Sequence, residues 1–357
     1  MRKKICVVLP DLRLGGAQRV LLDLARQFSR VGHQVDVVTL VADGHLSVEM
    51  PSDVRHLPLQ RVAKRGIAVA IFSFPKLVRH LLATRPDAVL SSMTGTNLLV
   101  AVAHTVAGGQ SRLVLREAAS LQNTSGRLIR WLMGKLYRRA DALIGVSGGV
   151  AEELAEVVKG AVPVHAVHNP VDSDRIQRAA RAKLDECSPT KPYIVSVARL
   201  TAQKDQETLI QAYVASASSR THRLVVVGNG EDRDRLGSLV RELGLEHRVD
   251  FVGALVNPYP VLAGAALHVL SSRWEGYPNV LLEALVLGVP IVATDCPFGP
   301  RELLRDGRLG SLVPVADHTA MAKAIDAELM APVAKDDSYL DAHRPEVVAG
   351  RYLALLL

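Results

Sequence analysis

Cysteine is scarce: Cys6, Cys187 and Cys296 are the only three in 357 residues, and no two form a CxxC pair. Such spacing excludes a disulfide framework and a structural zinc, and fits a reducing compartment. Aromatic residues make up only 4%, too few for a lectin-like face or a surface that stacks single-stranded bases. The 12 histidines fall into neither HxxxH nor HExxH, so zinc catalysis has no ligand pattern to use. No uninterrupted apolar run approaches the roughly 18 residues a membrane-crossing helix needs. The basic start, MRKK, is followed by only ICVVL before Pro10-Asp11, too short for a secretory h-region. Internal repeats and low-complexity segments are absent too. The expectation is a cytoplasmic protein.

What is present is an ordinary globular composition, 48% hydrophobic and 22% charged, over a length that suits two domains better than one. The charge is uneven. Residues 1–180 carry 24 Lys+Arg against 14 Asp+Glu, a net +10, and residues 181–357 carry 19 against 22, a net −3. A basic half of this kind suits an anionic surface or ligand.

Short apolar runs alternate with helical periodicity along the chain. ICVVLP, QVDVVTL, DAVLSS, RLVLRE, DALIGVS and PVHAVHN form one series. After a polar stretch at 172–191, YIVSVA, RLVVVGNG, HRVDFVGAL, LHVLSS and PIVATD form a second. Strands alternating with helices imply parallel sheets, so the sequence predicts an α/β protein of two doubly wound domains, 1–175 and 176–340. Ligands of open parallel sheets sit beyond the strands' carboxyl ends, which predicts a ligand cleft between the domains.

The segment EGYPNVLLE sets Glu275 and Glu283 eight residues apart, the second within the apolar run NVLLEALVLG. Pro278, Gly288 and Pro290 bound a helix over about 278–287. Its faces are nearly all apolar, so it should be buried, and a carboxylate there needs a partner. The first-turn N–H groups of Asn279, Val280 and Leu281 form an anion site. Glu283 lies roughly 7 Å further along the axis. Carboxylates on either side of a bound phosphate would accept hydroxyl hydrogen bonds, a pattern that fits a nucleoside diphosphate sugar. The alternative is a half-exposed Glu283 paired with Arg301. In VARLTAQKD, Arg199 and Lys204 follow a strand and could clamp a diphosphate and neutralise a leaving group. The alternative is a solvated loop face.

Taken together, these stretches resemble the retaining glycosyltransferases of the GT-B fold, family 4. The likeness runs through LGGAQRVLLDLA, HNPVD, VARLTAQKDQETLIQA, VVVGNGEDRDRL and LSSRWEGYPNVLLEALVLGVPIVATDCPFGPRELL. It is greatest to the subgroup that moves hexoses or N-acetylhexosamines onto lipid-linked intermediates of surface glycans. The resemblance implies two Rossmann-like domains with an interdomain cleft, the first taking acceptor and membrane, the second the donor. It further implies that 341–357 packs back on the first domain. Glu275, beside Gly276, would hold the donor sugar's hydroxyls and position its anomeric carbon. Glu283 would bind the ribose, and Arg199 and Lys204 the diphosphate, helped by the backbone at Asn279 and Val280. Gly15 and Gly16 would let the first loop approach donor and acceptor. Many relatives carry a histidine after a strand of the first domain. Here RLVLREAAS places Arg116 and Glu117 instead, and Glu117 is the substrate-facing residue expected from that loop, unless it pairs with Arg116 or Arg112.

The implied reaction is metal-independent sugar transfer from a UDP-linked donor, with no resident cofactor. Asp232-Arg233-Asp234 spells the D-x-D of metal-dependent transferases, but its place at a helix start favours capping and dipole complementation. The glycine run GNG lacks a dinucleotide fingerprint's third glycine. RLIRWLMGKLYRR, residues 127–139, and RVAKRGIAVAIFSFPKLVRHLL, residues 61–82, mix cations with apolar side chains. That composition suits an interfacial helix on anionic lipid, and so a peripheral membrane location. No nucleic-acid module is present. Two other readings stand beside transfer: a sugar-nucleotide epimerase of the same fold, and a catalytically silent scaffold.

Overall fold

The computed structural model describes all residues except 14, 45, 48–49, 61–66, 125, 183–188, 191 and 334–335. Cys187 and the opening RVAKRG of the second basic segment lie outside the described residues. The chain forms two compact units, Met1–Pro170 with Ala342–Leu357, and Val171–Asp341. The first boundary falls at Pro170 rather than at 175. The helix Ser173–Ala180, capped by Asp172 accepting the Arg175 N–H at 2.9 Å, buries Ile176 and packs on helices of the second unit.

The first unit is a parallel sheet of seven strands: β1 (Lys4–Leu9), β2 (Gln34–Thr39), β3 (Arg55–Pro58), β4 (Ala88–Ser92), β5 (Arg112–Glu117), β6 (Ala142–Gly145) and β7 (Val164–Ala166). Their order is β3-β2-β1-β4-β5-β6-β7. The helix Gly16–Arg30 lays Val20, Leu21, Leu24 and Phe28 on this sheet, as a 3.6-residue period requires. Beside it packs the last helix, Pro345–Leu356, which buries Tyr352 and Leu356 in the same core.

The second unit is a parallel sheet of six strands: β8 (Tyr193–Val197), β9 (Arg223–Val227), β10 (Val249–Gly253), β11 (Leu267–Leu270), β12 (Ile291–Thr294) and β13 (Ser311–Val313). Here the order is β10-β9-β8-β11-β12-β13. Successive strands run outward from β8 in one direction, then the chain returns to β11 on its other side. The topological switch point therefore lies between β8 and β11, and the loops leaving both carboxyl ends flank it.

Candidate active site

The loop after β8 carries Arg199 and Lys204, and the loop after β11 carries Glu275. Strand adjacency brings them together: the Lys204 ammonium forms an ion pair with Glu275 Oε1 across the switch point. Of the two glutamates of EGYPNVLLE, the buried one is thus Glu275, 6% exposed. Ser272 Oγ also donates to Oε1, at 2.6 Å, and the Glu275 N–H donates to the Pro297 carbonyl at 2.8 Å. Both side-chain donors converge on one oxygen, so Oε2 keeps its accepting capacity for a hydroxyl.

Arg199 is exposed and, among the described residues, makes no ion pair; its NH2 lies 3.4 Å from Gln203 Oε1. Its loop is held by the GNG turn. Gly228 has φ +140°, and a Cβ there would fall 1.8 Å from the Ala198 carbonyl oxygen. The Leu200 N–H donates to the Asn229 carbonyl at 3.0 Å. Glycine in this turn serves close packing against the residues on either side of Arg199. In the D-x-D segment, Asp232 takes the N-cap position but its side chain caps nothing; it accepts Arg235 Nε at 3.2 Å. The capping expectation is corrected to that extent: the Asp232 backbone is already right-handed helical, φ −82° and ψ −1°, rather than extended as a side-chain cap requires. Among the described residues no three His, Cys, Asp or Glu side chains gather as a metal site would.

The helix Asn279–Leu287 opens directly after the buried Gly276, Tyr277 and Pro278 and closes at Gly288 in the left-handed region. Leu281 N–H donates to the Pro278 carbonyl at 3.0 Å, so this first-turn N–H is engaged within the turn itself. Glu283 is half-buried rather than buried. The helix buries Leu281, Leu282, Ala284 and Val286, and Glu283 rides its edge, where Tyr259 Oη donates to Oε1 at 3.3 Å. Arg301 pairs with Asp295 and Asp306. Cys296, beside the Glu275 loop, is a buried thiol whose pKa burial pushes up to about 12, which makes it a poor nucleophile.

In the first unit, Gly15 N-caps the helix Gly16–Arg30 in extended backbone that any residue adopts. What a side chain there would meet is the Gln18 amide, 2.4 Å from a Cβ. Gly16, the first helical residue, is exposed. Glu117 lies in the interior. It is 2% exposed, and Thr94 Oγ1 and Asn97 Nδ2 donate to it at 2.9 Å each while Tyr137 donates to Oε1. Burial pushes its carboxyl pKa up, partly offset by these donors. Arg116, fully buried, donates instead to Ser92 Oγ at 2.8 Å, Asn169 Oδ1 at 2.6 Å and Tyr352 Oη at 3.0 Å. Strand alternation sends the neighbours Arg116 and Glu117 to opposite faces, each into its own interior network, so Glu117 does not pair with Arg116.

A second feature of the first unit is its surface. The helix Ile67–Thr84 exposes Ile71 (61%) and Leu82 (53%), and the helix Arg127–Leu136 exposes Leu128 (69%) and Trp131 (59%). Both helices pack against Thr94–Val106. Arg79, Arg127, Lys135 and Arg138 stand exposed among these apolar groups. No helix of the described residues is long and apolar enough to cross a membrane.

Two open parallel sheets, with a cation–carboxylate pair at the switch point of the second, have the architecture of an α/β protein that binds a ligand beyond its strands' carboxyl ends. Residues 14–175 match the family described as Glycosyltransferase Family 4, and residues 180–337 match Glycosyl transferases group 1. The chain belongs to these group 1, family 4 glycosyltransferases and has their GT-B fold. It is 27% identical, over 96% of its length and 93% of the relative's, to the N-acetylgalactosamine-N,N'-diacetylbacillosaminyl-diphospho-undecaprenol 4-alpha-N-acetylgalactosaminyltransferase of Campylobacter jejuni. A second C. jejuni protein, which adds alpha-1,4-N-acetyl-D-galactosamine to GalNAc-alpha-(1->4)-GalNAc-alpha-(1->3)-diNAcBac-PP-undecaprenol, is 26% identical over 91% of this chain and 89% of its own. Among solved structures, Alr3699/HepE of Anabaena in complex with UDP-glucose superposes with a TM-score of 0.75 at 20% identity, covering 99% of this chain and 97% of that one.

Proposed function

We propose that this glycosyltransferase moves a hexose or N-acetylhexosamine from a UDP-linked donor to a polyprenyl-diphosphate-linked glycan, with retention of anomeric configuration and without a metal. The observation that carries this reading is the meeting of Lys204 and Glu275 at the switch point, with Arg199 exposed on the same loop as Lys204. Arg199 and Lys204 bind the diphosphate together with the N–H groups of Asn279 and Val280. Glu275, next to Gly276, accepts a donor-sugar hydroxyl on Oε2, and Glu283, steadied by Tyr259, accepts from the ribose. Gly15 and Gly16 leave room for substrate above β1. Departure of the UDP diphosphate breaks the bond from C1 to the phosphate oxygen, and the acceptor hydroxyl attacks C1 from the same face. The acceptor's proton passes to the leaving phosphate oxygen, while Arg199 and Lys204 stabilise the charge that develops there.

The UDP-glucose complex of the Anabaena protein and the undecaprenol-linked substrates named for the C. jejuni relatives support this donor and this acceptor. The exposed Leu128 and Trp131 with their surrounding cations support peripheral binding to the anionic cytoplasmic leaflet, where such an acceptor sits. One experiment addresses all three points. The protein is given UDP-N-acetylgalactosamine or UDP-glucose and a polyprenyl-diphosphate-linked disaccharide in anionic vesicles, and the product anomer is read by NMR. The expected product keeps the donor's α configuration. The variant Leu128→Asp with Trp131→Asp loses turnover on vesicles but not on detergent-dispersed acceptor. An epimerised donor without transfer would instead identify an epimerase, and UDP binding without turnover of any donor a scaffold.

A further inference from the structure

The residues on either side of Lys204 are tied to the two residues that precede Glu275. Gln203 Nε2 donates to the Trp274 carbonyl at 2.9 Å, and the Arg273 N–H donates to the Gln203 carbonyl at 2.8 Å. On the other side, Arg273 holds the Asp205 carboxylate with Nε at 3.0 Å and NH2 at 3.3 Å. Ser271 Oγ, on the β11 side, donates to the Lys204 carbonyl itself at 2.8 Å. Asp205 is 4% exposed and has a left-handed backbone, φ +48°. Glycine would take that conformation with less strain, so the conformation alone gives no reason for a carboxylate. Nor does helix capping: Asp205 occupies the N-cap of Gln206–Ala215, yet its side chain caps no backbone N–H. Both its oxygens go to Arg273, with Thr208 Oγ1 donating to Oδ2 at 2.9 Å.

We propose that Asp205 and Arg273 are positioning residues: a charged clip that fixes the loop after β8 to the loop after β11 and so sets the Lys204 ammonium where the donor diphosphate binds. This inference rests on the proposed donor site. A lysine has four rotatable side-chain bonds, and its ammonium is useful only where its backbone is anchored. The clip anchors that backbone from both neighbouring residues, while Arg273 and Asp205 themselves need touch no ligand.

The test is a double-mutant cycle read by UDP calorimetry on the full chain. Lys204→Ala is expected to weaken UDP by about 10–100-fold, the loss of one charge-assisted contact. Arg273→Gln should weaken UDP about tenfold in the wild-type background and less than twofold in the Lys204→Ala background, because the clip acts through that lysine. Asp205→Gly, which keeps the backbone conformation, should reproduce Arg273→Gln, and Asp205→Asn, which keeps an acceptor for Arg273, should restore affinity to within about threefold. Equal weakening in both backgrounds, or none in either, overturns the clip. Failure of the wild type to bind UDP, or Lys204→Ala binding as well as wild type, overturns the donor-site reading beneath it.

Discussion

Glu275→Gln is expected to lower kcat for sugar transfer by about 10²–10³-fold while changing UDP affinity by less than about threefold. Glutamine has the shape of glutamate but not its charge, so the carboxylate that accepts a sugar hydroxyl becomes a weaker, half-donating amide. On the proposed roles the nucleotide is held by Arg199, Lys204 and Glu283, and its affinity should survive. Lys204→Ala should do both kinds of damage. It removes charge from the leaving diphosphate, and it strands Glu275, whose Oε1 then keeps only Ser272. Breaking a largely buried pair on one side costs roughly 3–5 kcal/mol of stability, so the two variants separate chemistry from folding. Steady-state release of UDP and urea unfolding measure the two quantities. If Glu275→Gln turned over like wild type, the carboxylate would be a structural partner of Lys204 and nothing more.

Acid should destabilise the second unit through His268. This residue sits in β11, fully buried, with neither ring nitrogen in a hydrogen bond of good geometry. Burial pushes its pKa down to about 4, only partly offset by the Val195 backbone. The unfolded chain has an ordinary histidine near 6.5, so between pH 6.5 and 4 it binds a proton that the folded state refuses. Stability is therefore fully present above pH 6.5 and falls as pH drops toward 4, by about 3 kcal/mol from this residue. His268→Leu should remove that part of the pH dependence and cost little at pH 7, since it also removes a buried imidazole that is poorly hydrogen-bonded. The check is urea unfolding of wild type and variant at pH 7 and pH 4.5. Parallel loss of stability in both proteins would mean that His268 titrates normally.

How much of this was legible in the sequence varies from element to element. ICVVLP and YIVSVA declare buried parallel strands because apolar runs bounded by polar turns have few other uses. Arg55–Pro58 and Ser311–Val313 carry no such signal. Each is an edge strand, one half-polar and ending in proline, the other three residues long. The chemical identities of Lys204 and Glu275 could be read, but not their contact, which depends on β8 and β11 lying side by side. Asp205, Arg273 and Tyr259 carried no motif that sequence spacing could reveal. The apolar run around Glu283 predicts burial, but a nine-residue helix that packs hard on one side still leaves an edge. Glu117 illustrates what only side-chain packing shows. A glutamate at a strand's carboxyl end has the address of a site residue, and only the side chains of Thr94, Asn97 and Tyr137 show that it turns inward.

The central claim is that the switch point of the second unit holds the nucleotide of a sugar donor, with Glu283 on the ribose. The most direct measurement compares UDP with 2′,3′-dideoxy-UDP by calorimetry on wild type and Glu283→Ala. A ribose ligand predicts that wild type binds UDP at least tenfold more tightly than the dideoxy analogue, about 1.4 kcal/mol or more, and that the variant binds both alike. Equal affinity of wild type for the two nucleotides, or an undiminished preference in Glu283→Ala, would contradict it.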